Sequence, residues 1–389
     1  MRELRPDTLA VRGGLARSGF DETSEGLFLT SGYVYASAQE AEAAFKDEID
    51  RFVYSRYGNP TVRMFEERMR LLEGTEACFA TATGMSAVFV ALAALLAKGD
   101  RVVSARGLFG SCSVILAEIL PRWGVESVFV DGSDLDQWRA ALSEPAAAVF
   151  FESPSNPMQE LVDIQAVCDL AHDAGATVVV DNVFGTPVFS KPLEQGADVI
   201  VYSATKHIDG QGRTLGGAIL GTSEFINGPV KNLMRHTGPS MSPFNAWVLL
   251  KGLETLSLRV NRMATSAMEL ARALEGHPKI SRVIYPWLES HPQHDLAKRQ
   301  MYGGGTVVTF ELVGGKDEAF EAMNALEIVD ISNNLGDSKS LITHPATTTH
   351  RRLGPEGRLA VGITDGVLRV SVGLEDIRDL VEDFERALG

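Results

Sequence analysis

The chain is 389 residues long, 45% hydrophobic, and carries a formal net charge of −15. That is ample for a large buried core in two or three domains, and 37 glycines with 16 prolines fit neither a collagen-like nor a disordered chain. The acidic balance repels nucleic acid and anionic lipid, so neither is expected as a partner, and it otherwise serves solubility. The opening MRELRPDTLAVRGG is polar and charged, without the apolar stretch of a secretory signal. Cys78, Cys112 and Cys168 form no CxxC pair and are expected to be reduced thiols of a cytoplasmic protein.

Residues 1–60 read as an irregular arm. Tyr33, Tyr35, Phe52, Tyr54 and Tyr57 are dense for a floppy tail, so the arm is expected to pack on something, such as a second subunit. A charged amphipathic helix follows over Val62–Leu72, then a turn at Gly74. Thr83-Gly84-Met85-Ser86 opens an Ala-rich helix that stops at Lys98-Gly99, with glycine in its usual C-terminal place. Its most apolar stretch, Ser86–Ala97, is shorter than the ~18 residues of a membrane span. Short apolar runs then alternate with helical stretches: Arg101–Ser104, Ser127–Val130, Ala147–Phe151, Thr177–Val180, Asp198–Tyr202 and Gly217–Leu220. Continuous Val/Ile runs suit strands buried on both faces, and helices such as Ile164–Ala174 supply the crossovers. Residues 61–243 therefore predict an α/β domain with a mostly parallel sheet sandwiched by helices. After Pro243 a long helical segment runs to about Leu274. Strands at Ile280–Tyr285, Thr306–Val313 and Val367–Val372, with helices at Lys316–Leu326 and Glu375–Leu388, predict a smaller α+β domain over residues 244–389.

Open α/β sheets bind ligands at the carboxyl ends of their strands. The run Thr177–Val180 ends in Asp181-Asn182, a carboxylate that is costly to desolvate without a cation. Taken alone, an Asp that caps the next turn is the plainer reading. The run Asp198–Tyr202 ends in Ser203-Ala204-Thr205-Lys206. Alone, Lys206 reads as a solvated loop lysine, but the glycines at 210, 212, 216 and 217 let backbone approach a ligand. The helix start at Gly84 offers free N–H groups and a positive dipole end, suited to phosphate. Together these are one device. Pyridoxal phosphate requires a lysine for a Schiff base, a carboxylate to keep its ring nitrogen protonated, and a phosphate cradle. Lys206, Asp181, and Gly84 and Met85 with Ser203 and Thr205, supply one of each. No GxGxxG follows the first strand and no GxxxxGK[ST] occurs, so dinucleotide and P-loop sites are unsupported. His291 and His294 lack a Cys or acidic partner at ligand spacing and read as surface, so no metal is expected.

The residues resemble the Cys/Met-metabolism family of pyridoxal-phosphate enzymes, the fold-type-I transsulfuration group. The resemblance spans nearly the whole chain. It rests on Tyr54-Ser55-Arg56-Tyr57-Gly58-Asn59-Pro60, Ser153-Pro154-Ser155-Asn156-Pro157, Asp181-Asn182, Ser203-Ala204-Thr205-Lys206 and Leu341-Ile342-Thr343-His344-Pro345-Ala346. The segments from His207 to Arg213 and from Gly238 to Trp247 are similar to the branch that replaces the γ-substituent of O-succinylhomoserine by sulfide. The resemblance implies that Lys206 bonds the cofactor and shuttles protons, Asp181 pairs with the ring nitrogen, and Gly84, Met85, Ser203 and Thr205 hold the phosphate. It implies that Tyr54 and Arg56 reach a neighbouring subunit's phosphate in a homotetramer, a dimer of dimers. Asn156 would lie near substrate, Arg369 would clamp its α-carboxylate, and Ser340 would support that end of the site. Many relatives stack a Tyr on the ring where this chain has Phe109, which cannot act as acid or base. That shifts proton work to Lys206 or Tyr54. Cystathionine γ-synthase, O-acetylhomoserine sulfhydrylase and methionine γ-lyase activities remain alternatives. A non-catalytic binding protein would be expected to lose Lys206 or Asp181, and both are present.

Overall fold

A computed structural model describes residues 4–389. Its centre is a sheet of seven strands: β1 (Ala77–Thr81), β2 (Arg101–Ala105), β3 (Glu126–Val130), β4 (Ala148–Glu152), β5 (Thr177–Asp181), β6 (Val199–Ser203) and β7 (Gly217–Gly221), in the order β1-β7-β6-β5-β4-β2-β3. Only β7 runs antiparallel to its neighbours β1 and β6. The fold is α/β with a mostly parallel sheet, as the Val/Ile runs predict. β1 lies outside that prediction. Its sequence ACFAT is poor in β-branched residues, so composition does not mark it as a strand.

Both faces of the sheet are covered. Val178 and Val180 pack with Val149, Phe151 and Val167 on one side. Val179 packs with Phe150, Val201, Ala87 and Leu92 on the other. The pleat sends successive side chains to opposite cores, so a strand buried twice reads as an unbroken apolar run.

Helix starts are set by capping. Asn59 accepts from the Thr61 N–H at 2.9 Å and Pro60 occupies the first turn, so the helix Pro60–Glu73 begins two residues before the amphipathic pattern. It ends at Gly74, whose φ of 80° is left-handed. The Thr83 hydroxyl accepts from the Ser86 N–H at 3.1 Å and caps the helix Gly84–Leu95.

The arm is less irregular than its sequence suggests, with short helices at Pro6–Arg12 and Ala38–Phe45. It is seated on its own chain. Glu25 is buried, pairs with Arg68 at 2.6 Å and also with Lys251, while Trp247 Nε1 donates to its carbonyl at 3.0 Å. A buried ion pair is tolerable because both carboxylate oxygens are filled.

A second sheet contains β8 (Ile280–Ile284), β9 (Val307–Leu312), β10 (Asp330–Ile331), β11 (Leu341–Thr343) and β12 (Val367–Ser371), in the order β10-β11-β12-β9-β8. The single helical segment expected after Pro243 is two helices, Pro243–Leu253 and Leu256–Leu274. The first packs with Phe65 and Met69 in the core beside β6 and β7. The second starts in that core at Leu256 and Val260 and ends in the core of the second sheet at Leu270 and Leu274. His291 is not a surface residue. It is buried, and its Nδ1 accepts from the Gln293 N–H at 3.1 Å. Among the described residues no helix is long and apolar enough to cross a membrane.

Candidate active site

A cavity of about 240 Å³ opens at the carboxyl ends of β4, β5 and β6 and is completed by β12 of the second sheet. Lys206, Asp181, Ser203, Thr205, Gly84, Met85, Phe109, Asn156 and Arg369 all line it. Residues far apart in sequence thus meet where the topology of an open sheet places ligands.

At one end the helix start at Gly84 presses on the end of β6. A Cβ on Gly84 would fall 2.5 Å from the Ser203 Cβ, so a side chain there would fill the cradle. The first-turn amides of this helix have no intrahelical acceptor and suit an anion. Thr205 Oγ1 accepts from the Gly216 N–H at 3.1 Å and donates to the Gly216 carbonyl at 3.3 Å, which ties the glycine-rich stretch to the same edge.

At a second end stand two carboxyls. Asp181 and Glu152 are register partners on β5 and β4. With Cys112 they place ligand atoms within 4.8 Å of one another. Asp181 accepts from the Val183 N–H at 3.1 Å, and Glu152 from the Phe109 N–H at 2.6 Å. Burial pushes both carboxyls well up, and the charge of Asp181 pushes Glu152 further. Two carboxylates at this spacing repel by about 3–4 kcal/mol at an effective dielectric of ~20, so they keep a proton between them unless a cation arrives. The Cys112 thiol is held far above its ordinary range by burial and by Glu152 and Asp181. A thiol that resists ionisation is a poor metal ligand. A protonated ring nitrogen is the better match to this end.

The third end is cationic. Lys206 Nζ donates to Asn334 Oδ1 at 2.6 Å. Burial first, and then the charge of Arg369, lowers Lys206 to about 8. Arg369 donates to Asn156 Oδ1 at 2.9 Å and to the carbonyls of Asn333 and Asn334 at 3.0 and 3.1 Å. All three acceptors are neutral, and Nε has no partner among the described residues. Burial lowers Arg369 to about 10. A buried guanidinium without a counter-charge is costly, and an anionic ligand group offsets that cost.

Three predicted residues lie elsewhere. Ser340 does not line the cavity. Its hydroxyl donates to Glu375 at 2.8 Å and accepts from the Gly373 N–H at 2.9 Å, so it fastens the turn that follows β12. Tyr54 and Arg56, expected at a neighbouring subunit's site, do not line this cavity. Tyr54 forms a β-bridge with Gly32, and the Arg56 guanidinium bonds the Arg235 carbonyl and lies 5.2 Å from the Tyr54 ring centre. Sequence reasoning missed Glu152, Cys112 and Asn334. Glu152 carries the same mark that singled out Asp181, a carboxylate closing a buried apolar run.

A model of the Cys/Met metabolism PLP-dependent enzyme family matches residues 7–389. The chain belongs to this family. Pyridoxal phosphate is accordingly its cofactor, and the lysine, carboxyl pair and glycine cradle of the cavity fit it. The chain is 65% identical over 385 residues to an O-succinylhomoserine sulfhydrylase of Mycobacterium tuberculosis (strain CDC 1551 / Oshkosh), covering 98% of this chain and 95% of that one. It is 49% identical over 382 residues to an O-succinylhomoserine sulfhydrylase of Pseudomonas aeruginosa, covering 98% and 94%. Among solved structures, a cystathionine gamma synthase from Xanthomonas oryzae pv. oryzae in complex with aminoacrylate and cysteine aligns with a TM-score of 0.95 at 32% identity, covering 100% of this chain and 98% of that one.

Proposed function

We propose that the chain catalyses γ-replacement on O-succinyl-L-homoserine, with sulfide giving L-homocysteine and succinate in methionine biosynthesis. The observation that carries this reading is the meeting of Lys206, Asp181 and an uncompensated Arg369 in one cavity of a chain so similar to two sulfhydrylases. Bound pyridoxal phosphate supplies an electron sink that acidifies the substrate carbons beside the nitrogen it holds. Lys206 holds the cofactor and then, as a neutral amine, takes the proton from the substrate Cα. Asp181 would keep the ring nitrogen protonated. Gly84, Met85, Ser203 and Thr205 would hold the phosphate, and Phe109 would face the ring. Arg369 grips the α-carboxylate through paired N–H groups, with Asn156 steadying the guanidinium. At Cγ the bond to the succinyl oxygen breaks as succinate leaves, and a bond to hydrosulfide forms. Tyr54 and Arg56 complete the site of a neighbouring subunit, within a cytoplasmic homotetramer.

The test is turnover of purified protein on O-succinylhomoserine or its acetyl counterpart, each with sulfide or with cysteine. Homocysteine from the succinyl ester and sulfide is expected. Preference for cysteine would make the reaction cystathionine synthesis, and a yellow protein inert on both esters would sink the reading.

A further inference from the structure

The two cations of the cavity meet on one loop, residues 332–335, between β10 and β11. Asn334 is its contact point. Its side-chain Oδ1 accepts from Lys206 Nζ at 2.6 Å, and its carbonyl accepts from Arg369 Nη2 at 3.1 Å. Its own N–H is held by Ser332 Oγ at 3.3 Å. The loop is seated on the segment that carries the lysine. Gly336 has a φ of 73°, and a Cβ there would lie 2.7 Å from the His207 nitrogen and 3.0 Å from the Lys206 carbonyl carbon. One residue thus touches both the amine that must carry protons and the guanidinium that faces the substrate carboxylate.

We propose that Asn334 is a positioning residue: it receives the Lys206 amine whenever that amine is free of the cofactor and holds it in register with the Arg369 clamp. The inference rests on the reading of Lys206 as proton carrier in the proposed reaction. An amide oxygen suits this task because it accepts from an amine or an ammonium alike, yet lacks the charge by which a carboxylate favours the ammonium. The surroundings act in the same direction. Arg369 on β12 is cationic, and His207, next in the chain, is driven neutral by burial, down to about 3. Asp181 on β5 and Glu152 on β4 are held up by burial. Asp337, on the same stretch, is already paired with Lys339 at 3.0 Å. Lys206 itself sits at about 8. A carboxylate at position 334 would undo this balance.

Two full-length variants and two readouts test the inference. The first readout is the rate at which cofactor-stripped protein condenses with added pyridoxal phosphate, releasing water, followed by absorbance against pH. Condensation requires the neutral amine, so its midpoint reports Lys206. Asn334→Asp is expected to raise that midpoint by about one unit or more, as an adjacent opposite charge does. The second readout is steady-state turnover of the holoenzyme. Asn334→Ala is expected to lower kcat by about ten- to a hundredfold with KM little changed, the scale of a misplaced catalytic group. An Asp variant that condenses with the wild-type pH profile, or an Ala variant with wild-type kcat, overturns the proposal. Wild-type protein inert on every ester and sulfur donor would instead sink the functional reading, and the condensation profile would still decide whether Asn334 governs Lys206.

Discussion

The cavity has an acidic end and a cationic end, and they are built differently. Asp181 and Glu152 come from neighbouring strands of one sheet, aligned by a single register. Lys206 and Arg369 come from different sheets, and their bonds converge on the loop at Asn333 and Asn334. At both ends burial acts first, moving the carboxyls up and the amine down, and a like charge adds to it at Glu152 (from Asp181) and at Lys206 (from Arg369). The acidic end needs only a sheet to form correctly. The cationic end needs two cores to sit correctly on each other. Each end carries a strain in charge that the opposite charge of a ligand relieves, a protonated ring nitrogen at one and a carboxylate at the other.

Breaking the cationic end should cost most. Lys206→Ala is expected to lower turnover by at least about 10³-fold, since it removes both the cofactor's anchor and the proton carrier; near wild-type rates would refute the assignment. Asp181→Asn should weaken cofactor retention, seen by equilibrium dialysis, and slow kcat by about 10²-fold or more. Normal kinetics there would show that the acidic end does not serve the ring nitrogen. Arg369→Ala should reduce kcat/KM by about 10²-fold, chiefly through KM, as loss of a charged hydrogen-bonded partner does. The smallest effect, and the sharpest for the comparison, is on stability. The raised folded-state values of Asp181 and Glu152 mean that their contribution is fully present below the ordinary carboxylate range and is lost as pH rises through the raised values. The melting temperature of cofactor-free protein should therefore fall between about pH 5 and pH 8. Glu152→Gln should flatten that slope by removing one of the two raised carboxyls. An unchanged slope would mean that the two carboxyls do not share a proton.

Much of this was legible in the chain because local rules sufficed. The Val runs give buried strands, Asn59-Pro60 and Thr83-Gly84 give helix starts, and Asp181 and Lys206 announce themselves at strand ends. β1 was hidden because its short ACFAT run holds a single β-branched residue and it is defined by pairing with β7. Asn334 was hidden because nothing local marks an Asn in a polar loop, and its meaning comes from a lysine 128 positions away. The true place of Ser340, against Glu375 rather than in the cavity, follows from a contact across a turn that no spacing rule reveals. What sequence hides here is what tertiary contact decides.

The helix Leu256–Leu274 belongs to both cores. The amine and the guanidinium are in effect two jaws mounted on one beam. Their gap depends on how that beam and the bridging loop seat the two sheets on each other. A catalyst built this way loses its grip on warming by flexing, at temperatures where its far-ultraviolet dichroism still reports every helix and strand in place.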